Sequence, residues 1–539
     1  MDNNTERSAT FTEGAASATF TQESPYKDKA HPYTDNTSRP YWMKYETEES
    51  LEQRKLSATK LIPSCLIYAI FLTFCIYKNL SGVTMPVFMI GTLCFMVYNL
   101  HLFGVEIKRS SWFYAFVILA LSVSNFLTGD EFYLTFNIIG IFLLTFVFLL
   151  HNVYDDSKWN FAKTTASIIE SIFTSLGCLG DFSKDKYVQK RFGDKTENKI
   201  PMKGNFRYIL LGILISIPLV GILVTLLANA DVVFKTFLTD YLEIDFEFGT
   251  LLGIIITFVV SYFASFCIMR YFSKKRIFEY VKDYRNFEPL IAITILSIVS
   301  VLYLVFSFVQ IMGLFLGNLS LPEDYTYAQY AREGFFQLLA VSVINLLMVL
   351  LIKGIFRESK LLKFLMTLIS LCTYIMIASS AMRMIMYITV YHLTLLRILV
   401  LWALAVLSLL FIGVIISIFK DSFPLFKYGI IIVSLFYVVL SFSHTDQIIA
   451  EYNLSNMKTF EVSEYDSEKN KNIYDRKDSS ECDYIYLTGL SADAAPVISK
   501  YDEVWADDYF KNVSKKNYSK SWRKFNLSRY TAYTLGESR

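Results

Sequence analysis

Charge is scarce in this chain, and it is missing where active transport would need it. Only 19% of the 539 residues are Asp, Glu, Lys or Arg, and none falls near the middle of a long apolar run. Pumps and ion-coupled transporters hold their coupling ion at such positions. Secondary active transport is therefore disfavoured, although uncharged Gln310 and Asn345 leave some room for it. Signature motifs are missing too. No G-x-x-x-x-G-K-[ST] loop cradles a phosphate, and there is no H-E-x-x-H, no G-x-S-x-G and no G-x-G-x-x-G after a strand. His31, His101, His151, His392 and His444 are scattered, with no second ligand at metal spacing. The seven cysteines (Cys65, Cys75, Cys94, Cys178, Cys267, Cys372 and Cys482) offer neither an exterior disulfide nor a zinc spacing. No catalytic residue, cofactor, metal or nucleic-acid partner is expected. The first 58 residues are polar and the first apolar run, 61–77, lies too deep for a cleavable leader, so it reads as a retained first span.

What is present is apolar length. Hydrophobic residues make up 54% of the chain and the mean hydropathy is +0.39, which places it in the membrane class. About eleven runs are long enough to cross roughly 30 Å of hydrocarbon as helices: 59–77, 83–103, 111–127, 132–151, 206–228, 247–272, 289–317, 333–356, 361–383, 396–419 and 426–444. The gaps between them alternate. Those at 104–110, 152–208, 270–288, 353–363 and 420–427 carry 2, 10, 6, 4 and 2 Lys plus Arg, whereas those at 78–83, 128–131, 229–246, 318–333 and 383–397 carry 1, 0, 1, 1 and 2. Loops rich in Lys and Arg resist translocation. The basic side is thus cytoplasmic, with the N-terminus inside and the C-terminus outside. The expected fold class is an all-α polytopic membrane protein with a small α+β exterior C-terminal domain.

Five segments follow. Residues 1–58 form a polar cytoplasmic tail expected to be disordered, because it has too little apolar surface to offset the entropy of ordering. Residues 59–151 are a first four-helix segment and 206–444 a seven-helix segment. The loop between them, 152–205, contains an amphipathic helix over 159–179, with Phe161, Ile168, Ile169, Ile172, Phe173 and Leu176 largely on one side. It suits the cytoplasmic membrane surface or a cytosolic protein contact. Residues 445–539 balance 14 Lys plus Arg against 16 Asp plus Glu. Within them Cys482–Leu487 alternates like a strand and Gly489–Lys500 suits a turn and short helix. So short a domain needs a platform. The expected one is the tyrosine-rich outer helix ends (Tyr325, Tyr327, Tyr330, Tyr387 and Tyr391), met by Trp522, Arg523, Phe525, Asn526 and Ser528. Asn526 and Ser528 are candidate caps for a following short helix.

Polar groups gather at the outer ends of the later helices. Asp231 follows the fifth span. Tyr330, Arg332 and Glu333 lead into the eighth, with Gln337 one turn below. Arg383, Tyr387 and Tyr391 recur at i, i+4 and i+8, and His392 and Arg397 follow at the corner. Arg383 lies in the outer third of the membrane, where it must snorkel or pair, and Glu333 is the nearest acid in depth. The set is either an ordinary interfacial belt of charges and aromatics or an outward-facing site.

Three segments carry a family resemblance: Tyr327–Leu338, Met382–Tyr387 with Leu393–Arg397, and Ser521–Arg529, supported by Leu226–Asp231 and Tyr484–Ala494. Over roughly 60–535 the chain resembles a bacterial polytopic membrane family known as domain of unknown function number 4173, related to number 4153. The resemblance implies a multi-span protein of the bacterial cytoplasmic membrane and no particular reaction. Three functions remain in play. The first is a non-enzymatic envelope sensor or organiser with an outward-facing polar surface. The second is a membrane-embedded transferase acting on a lipid-linked substrate from outside, with Asp231, Glu333 or His392 as acid or base. It is disfavoured in its commonest form because the first exterior loop, 78–82, has no acid. The third is a channel or transporter. The bilayer is the one firm partner; a lipid-linked or protein partner at the exterior face is possible, and the oligomeric state stays open.

Overall fold

The computed structural model describes residues 42, 46–156, 159, 161–192, 223, 227, 230–231, 248–274, 285–312, 327–456, 462–466, 471–474, 484–502, 504–517 and 521–539. The described chain is overwhelmingly helical, as a bilayer requires of backbone that must satisfy its own hydrogen bonds. Nine helices among the described residues are long and apolar enough to cross a membrane: α1 (Glu48–Ile76), α2 (Thr84–Leu102), α4 (Glu131–Val153), α7 (Phe248–Lys274), α8 (Pro289–Gln310), α9 (Tyr327–Ile355), α10 (Lys360–Tyr391), α11 (Leu395–Phe419) and α12 (Leu425–Phe442). A tenth apolar helix, α3 (Ser111–Leu127), has 17 residues. Between α4 and α7 lie α5 (Phe161–Leu176) and α6 (Leu179–Phe192). The chain is a multi-pass membrane protein. The expected span at 206–228 lies almost wholly outside the described residues.

Helix ends follow from local chemistry. Asp130 starts α4 by accepting a hydrogen bond from Phe132 N at 2.8 Å, an N-cap. Pro289 opens α8, where a missing N–H costs nothing. α10 ends at His392, which takes a left-handed φ of 63°. The expected tail reaching residue 58 is corrected, because α1 already starts at Glu48. Glu48 and Glu49 in its first turn suit the helix dipole, and Arg54 gains buried partners described below. A π turn over Ser57–Leu61 joins that polar start to the apolar stretch.

The bundle has three cores. α1–α4 and α7 share one, built from residues such as Leu61, Met89, Ile118, Phe148 and Phe266. α8–α11 share the others, around Leu296, Val349, Ile369 and Phe411. α12 packs on both α3 and α11 and joins the halves.

The cation-rich gaps meet on one face. Lys108 donates to the carbonyls of His151 and Tyr154, Lys427 pairs with Asp156 at 3.0 Å, and Arg285 pairs with Glu358 at 2.8 Å. Arg54, on α1, lies 2.7 Å from Asp185 on α6, which also sits 2.9 Å from Nε of Arg270 on α7. Lys274 pairs with Asp181. Asp185 and Arg270 are fully buried.

Beyond α12 come α13 (Thr445–Ser455), a two-stranded antiparallel hairpin of β1 (Val462–Asp466) and β2 (Lys471–Tyr474), α14 (Tyr484–Thr488), α15 (Ala495–Ile498), α16 (Val504–Asn517) and α17 (Leu527–Glu537). Of the strand expected over Cys482–Leu487, Cys482 and Asp483 lie outside the described residues, and the part from Tyr484 is instead the helix α14. Tyr484 and Leu487, three apart, both turn into the core formed with Trp505, Tyr509 and Ile498, a spacing that suits a helical turn. So short an apolar segment does not fix its own period.

Candidate functional site

The face opposite the cation-rich gaps is where the C-terminal helices sit, and one carboxylate ties four segments together there. Asp493 lies in a short 3-10 turn, Ala492–Ala494, which Ser491 caps. Its Oδ2 accepts from Thr128 Oγ1 at 2.6 Å and contacts His444 Nδ1 at 3.2 Å. Its Oδ1 accepts from Gly129 N at 2.6 Å and Ser528 Oγ at 2.5 Å. Those partners come from the α3–α4 loop, the α12–α13 corner and the start of α17. A Cβ on Gly129 would come within 2.8 Å of the Ala492 Cβ, so a glycine permits the approach.

Asn526 makes a second tie. Its Oδ1 caps α17 by accepting from Arg529 N at 3.1 Å, while its Nδ2 reaches the carbonyls of Thr128 at 2.8 Å, Ser81 at 3.1 Å and Asn125 at 3.2 Å. The α1–α2 loop closes on the same segment: Val83 N donates to Phe525 O at 2.9 Å and Asn79 Nδ2 to Arg523 O at 2.7 Å. On the other half of the bundle, Asn453 exchanges hydrogen bonds with both backbone groups of Leu393, and Tyr486 OH accepts from Leu395 N.

Two further carboxylates stand close by. Asp446 accepts from Ser491 N at 2.8 Å. Burial pushes the Asp130 carboxyl up to about 7, with the nearby Asp446 charge adding to the effect. Burial also raises Asp446. Burial pushes Asp493 the same way, but the hydrogen bonds from His444, Gly129, Ser528 and Thr128 outweigh it and hold that carboxyl below the usual range. His444 is raised by its bond to Asp493. The cluster is thus three carboxyls with separated proton affinities beside one imidazole. Among the described residues, no group of three His, Cys, Asp or Glu is arranged to hold a metal ion.

Of the docking residues read from sequence, all five lie at this joint. Asn526 and Ser528 are buried. Arg523 donates to Tyr77 O at 2.8 Å with its guanidinium over the Phe74 ring, and Phe525 packs on Phe126. Trp522 is 65% exposed and meets half-exposed Phe74 at 6.0 Å, a placement that suits the membrane–water interface. The platform differs from the tyrosine-rich ends expected: it is the loops of α1–α4 and the 393–395 corner. Tyr387 and Tyr391 instead pack on each other at 4.8 Å, with the Arg397 guanidinium 4.5 Å above Tyr387. Tyr325 lies outside the described residues, as do the side chains of Tyr327, Tyr330, Arg332 and Glu333.

The polar stripe of α10 is a distinct place. Arg383 is buried, its Nη2 3.4 Å from Gln310 Oε1, which also accepts from Ser379 at 2.6 Å. A Cβ on Gly334 would meet the Arg383 guanidinium at 2.2 Å, so the arginine lies flat on α9 beside the position after Glu333. Deeper, Tyr303 donates to Asn345, which donates to Thr373. Gln337 is exposed, His392 half-buried at the corner, and Asp231 exposed just past a helix end, its N–H donating to Leu227 O at 3.0 Å.

Sequence reasoning missed Asp130, His444, Asp446 and Asp493. A weak signal existed: Thr128–Glu131 is a gap with acids and no cation, and Asp493 sits within the Tyr484–Ala494 segment already singled out.

The chain matches the model of a domain of unknown function, DUF4153, over residues 115–501. The match spans more than half of the chain, which therefore belongs to that family. Asp130, His444, Asp446 and Asp493 fall inside the matched range, and Asn526 and Ser528 outside it. No curated protein and no solved structure matches the chain.

Proposed function

We infer that this DUF4153 member is a non-enzymatic sensor or organiser of the bacterial envelope, whose C-terminal helices form an exterior domain joined stiffly to the membrane bundle. In this reading it sits in the cytoplasmic membrane with eleven spans, the N-terminus in the cytoplasm and the C-terminus outside. The grouping of the cation-rich gaps on the face opposite the C-terminal helices supports that orientation. Within the family, the motifs at 327–338, 382–397 and 521–529 favour a place near number 4173. The observation that carries the functional reading is the Asp493 tie. A buried carboxylate satisfied by three other segments makes the outer domain and the first helices one mechanical unit, so a load or ligand on the outside is felt by the bundle. Candidate recognition groups on that outer side are Tyr391 and Arg397.

A strain lacking the protein, scored for envelope-stress sensitivity, tests this. Wild type and the acid–base variants Asp231→Asn and His392→Ala should complement, whereas Asp493→Ala, which uncouples the joint, should not. Loss of complementation by Asp231→Asn or His392→Ala with Asp493→Ala still active would favour the transferase reading. A second reading, a channel or transporter, is supported by the polar seam from Arg383 and Gln310 down to Tyr303, Asn345 and Thr373. Ion flux in proteoliposomes that Asn345→Leu abolishes would favour it.

A further inference from the structure

α5 is packed inside out for a helix in water. Its small polar residues Thr164, Ser167, Ser171 and Ser175 are buried against the bundle, while Ile169, Phe173 and Leu176 are 51%, 69% and 62% exposed. Leu179, at the start of α6, continues the row at 52% exposed. Two of the buried hydroxyls are satisfied by their own helix: Ser171 and Ser175 donate to the carbonyls of Ile168 and Ile172 at 2.8 Å. Small side chains on that stripe permit a close approach to α7, Ile168 and Ile172 pack at its edge on the core, and Ile169, Phe173 and Leu176 are left facing outward.

Both ends of α5 are held at the cation-rich face. Before it, Trp159 packs on Tyr154 at the end of α4. After it, Asp181 and Asp185 pair with Arg54, Arg270 and Lys274. The helix therefore runs along that face instead of crossing. Burial raises Asp181, but Lys274 and the arginines outweigh it and keep the carboxyl below its usual range. With Asp181 and Asp185 spent inside, α6 presents Lys186, Lys190 and Arg191 outward. An open cavity of about 330 Å³ lies at the α5–α6 turn, lined by Thr174, Gly177, Cys178, Tyr271 and Lys274.

We propose that α5 and α6 form a binding site for anionic phospholipid in the leaflet at the cation-rich face. The row Ile169, Phe173, Leu176 and Leu179 lies among the acyl chains, and the turn cavity with Lys274 at its edge receives a lipid. Lys186, Lys190 and Arg191 hold the surrounding headgroup phosphates. An apolar row flanked by exposed cations, at the level where the spans end, is complementary to a charged membrane surface. The site is independent of the outer joint.

The test uses full-length protein carrying a benzophenone amino acid in place of Phe173, in nanodiscs of phosphatidylcholine with or without phosphatidylglycerol. Irradiation is expected to give lipid adducts at that position, with phosphatidylglycerol enriched above its share of the disc. The ratio of phosphatidylglycerol to phosphatidylcholine adducts should fall stepwise toward the bulk ratio in the series K186Q, K190Q, R191Q, by at most about fivefold per cation removed. Adducts to a second polypeptide would overturn the proposal in favour of a protein contact. Lipid adducts that mirror the bulk composition in every variant would overturn the anionic selectivity, and absence of adducts would overturn the placement of the row in lipid.

Discussion

Replacing Asp493 is the sharpest perturbation this molecule offers. The carboxylate is 4% exposed and takes two hydrogen bonds on Oδ1 and two contacts on Oδ2, with donors between 2.5 and 3.2 Å. Alanine would leave the Gly129 N–H without its acceptor and strand Thr128, Ser528 and His444 around a void. Hydrogen bonds to a charged group contribute about 1.5–3 kcal/mol each, but the desolvation of the carboxylate offsets much of the sum. Removing one member of such a buried ionic set costs about 3–5 kcal/mol. Asparagine is a finer probe. Its oxygen replaces Oδ1 toward Gly129, and its amide then faces Thr128, which can rotate to accept, and His444, which accepts only when neutral at Nδ1. Asp493→Asn should cost about 1–3 kcal/mol.

Hydrogen exchange of the full-length protein in nanodiscs reads the effect. Amides of α13–α17 should lose protection strongly in Asp493→Ala and mildly in Asp493→Asn, while α8–α11 stay protected. Asp507→Ala, at an exposed position, is the control. Equal protection in Asp493→Ala and Asp507→Ala would refute the claim that this carboxylate ties the domain down.

The same joint should loosen as pH rises. Asp130, raised to about 7, keeps in the folded state a proton that the unfolded chain releases near 4, so its contribution falls through that window. Asp446 is raised as well, and the raised His444 contributes fully below its unfolded value and loses that contribution as pH climbs through the folded one. Protection of α13–α17 should be greatest in mild acid, and Asp130→Asn, which keeps the cap, should flatten the dependence between about 4 and 7. On the opposite face, Asp185→Asn should lower the detergent melting temperature far more than Asp421→Asn, a change at a half-exposed carboxylate 3.5 Å from Arg285, since the former leaves buried Arg54 and Arg270 short of an anion at about 3–5 kcal/mol; equal shifts would sink the buried-knot reading. Arg383→Ala, which strips a charged donor from buried Gln310, should likewise destabilise more than Arg357→Ala at an exposed position of the cation-rich face, by about 1.5–3 kcal/mol, and matching melts would count against a buried role. An impermeant maleimide on intact, wall-permeabilised cells should label wild type and not Cys482→Ser; labelling that survives the change, or none before lysis, would mean an even span count or a wrong orientation.

What the sequence made legible follows from the range of the forces involved. Apolar length and the alternation of cations are local properties, each readable in a window of twenty residues, and they anticipated nine of the long helices and the face on which the basic gaps meet. The Asn526 cap was readable for the same reason, since a cap and its target amide are three residues apart. The joint was not readable. Asp493 and Thr128 are 365 positions apart and Arg54 and Asp185 are 131 apart, and nothing in either neighbourhood states the other. The cost of burying charge gives a partial remedy. Arg383 could be singled out from depth alone, because a cation inside an apolar run must find a partner. Asp130, Asp185 and Asp493 sit in polar stretches where an acid looks solvated, so burial cost gave no warning. The α5 helix shows the limit of pattern in another way. Its amphipathic period was plain, but periodicity says only that two faces differ. Which face turns inward depends on whether water or lipid lies outside, and here the hydroxyl stripe packs against α7 while Ile169, Phe173 and Leu176 are left exposed.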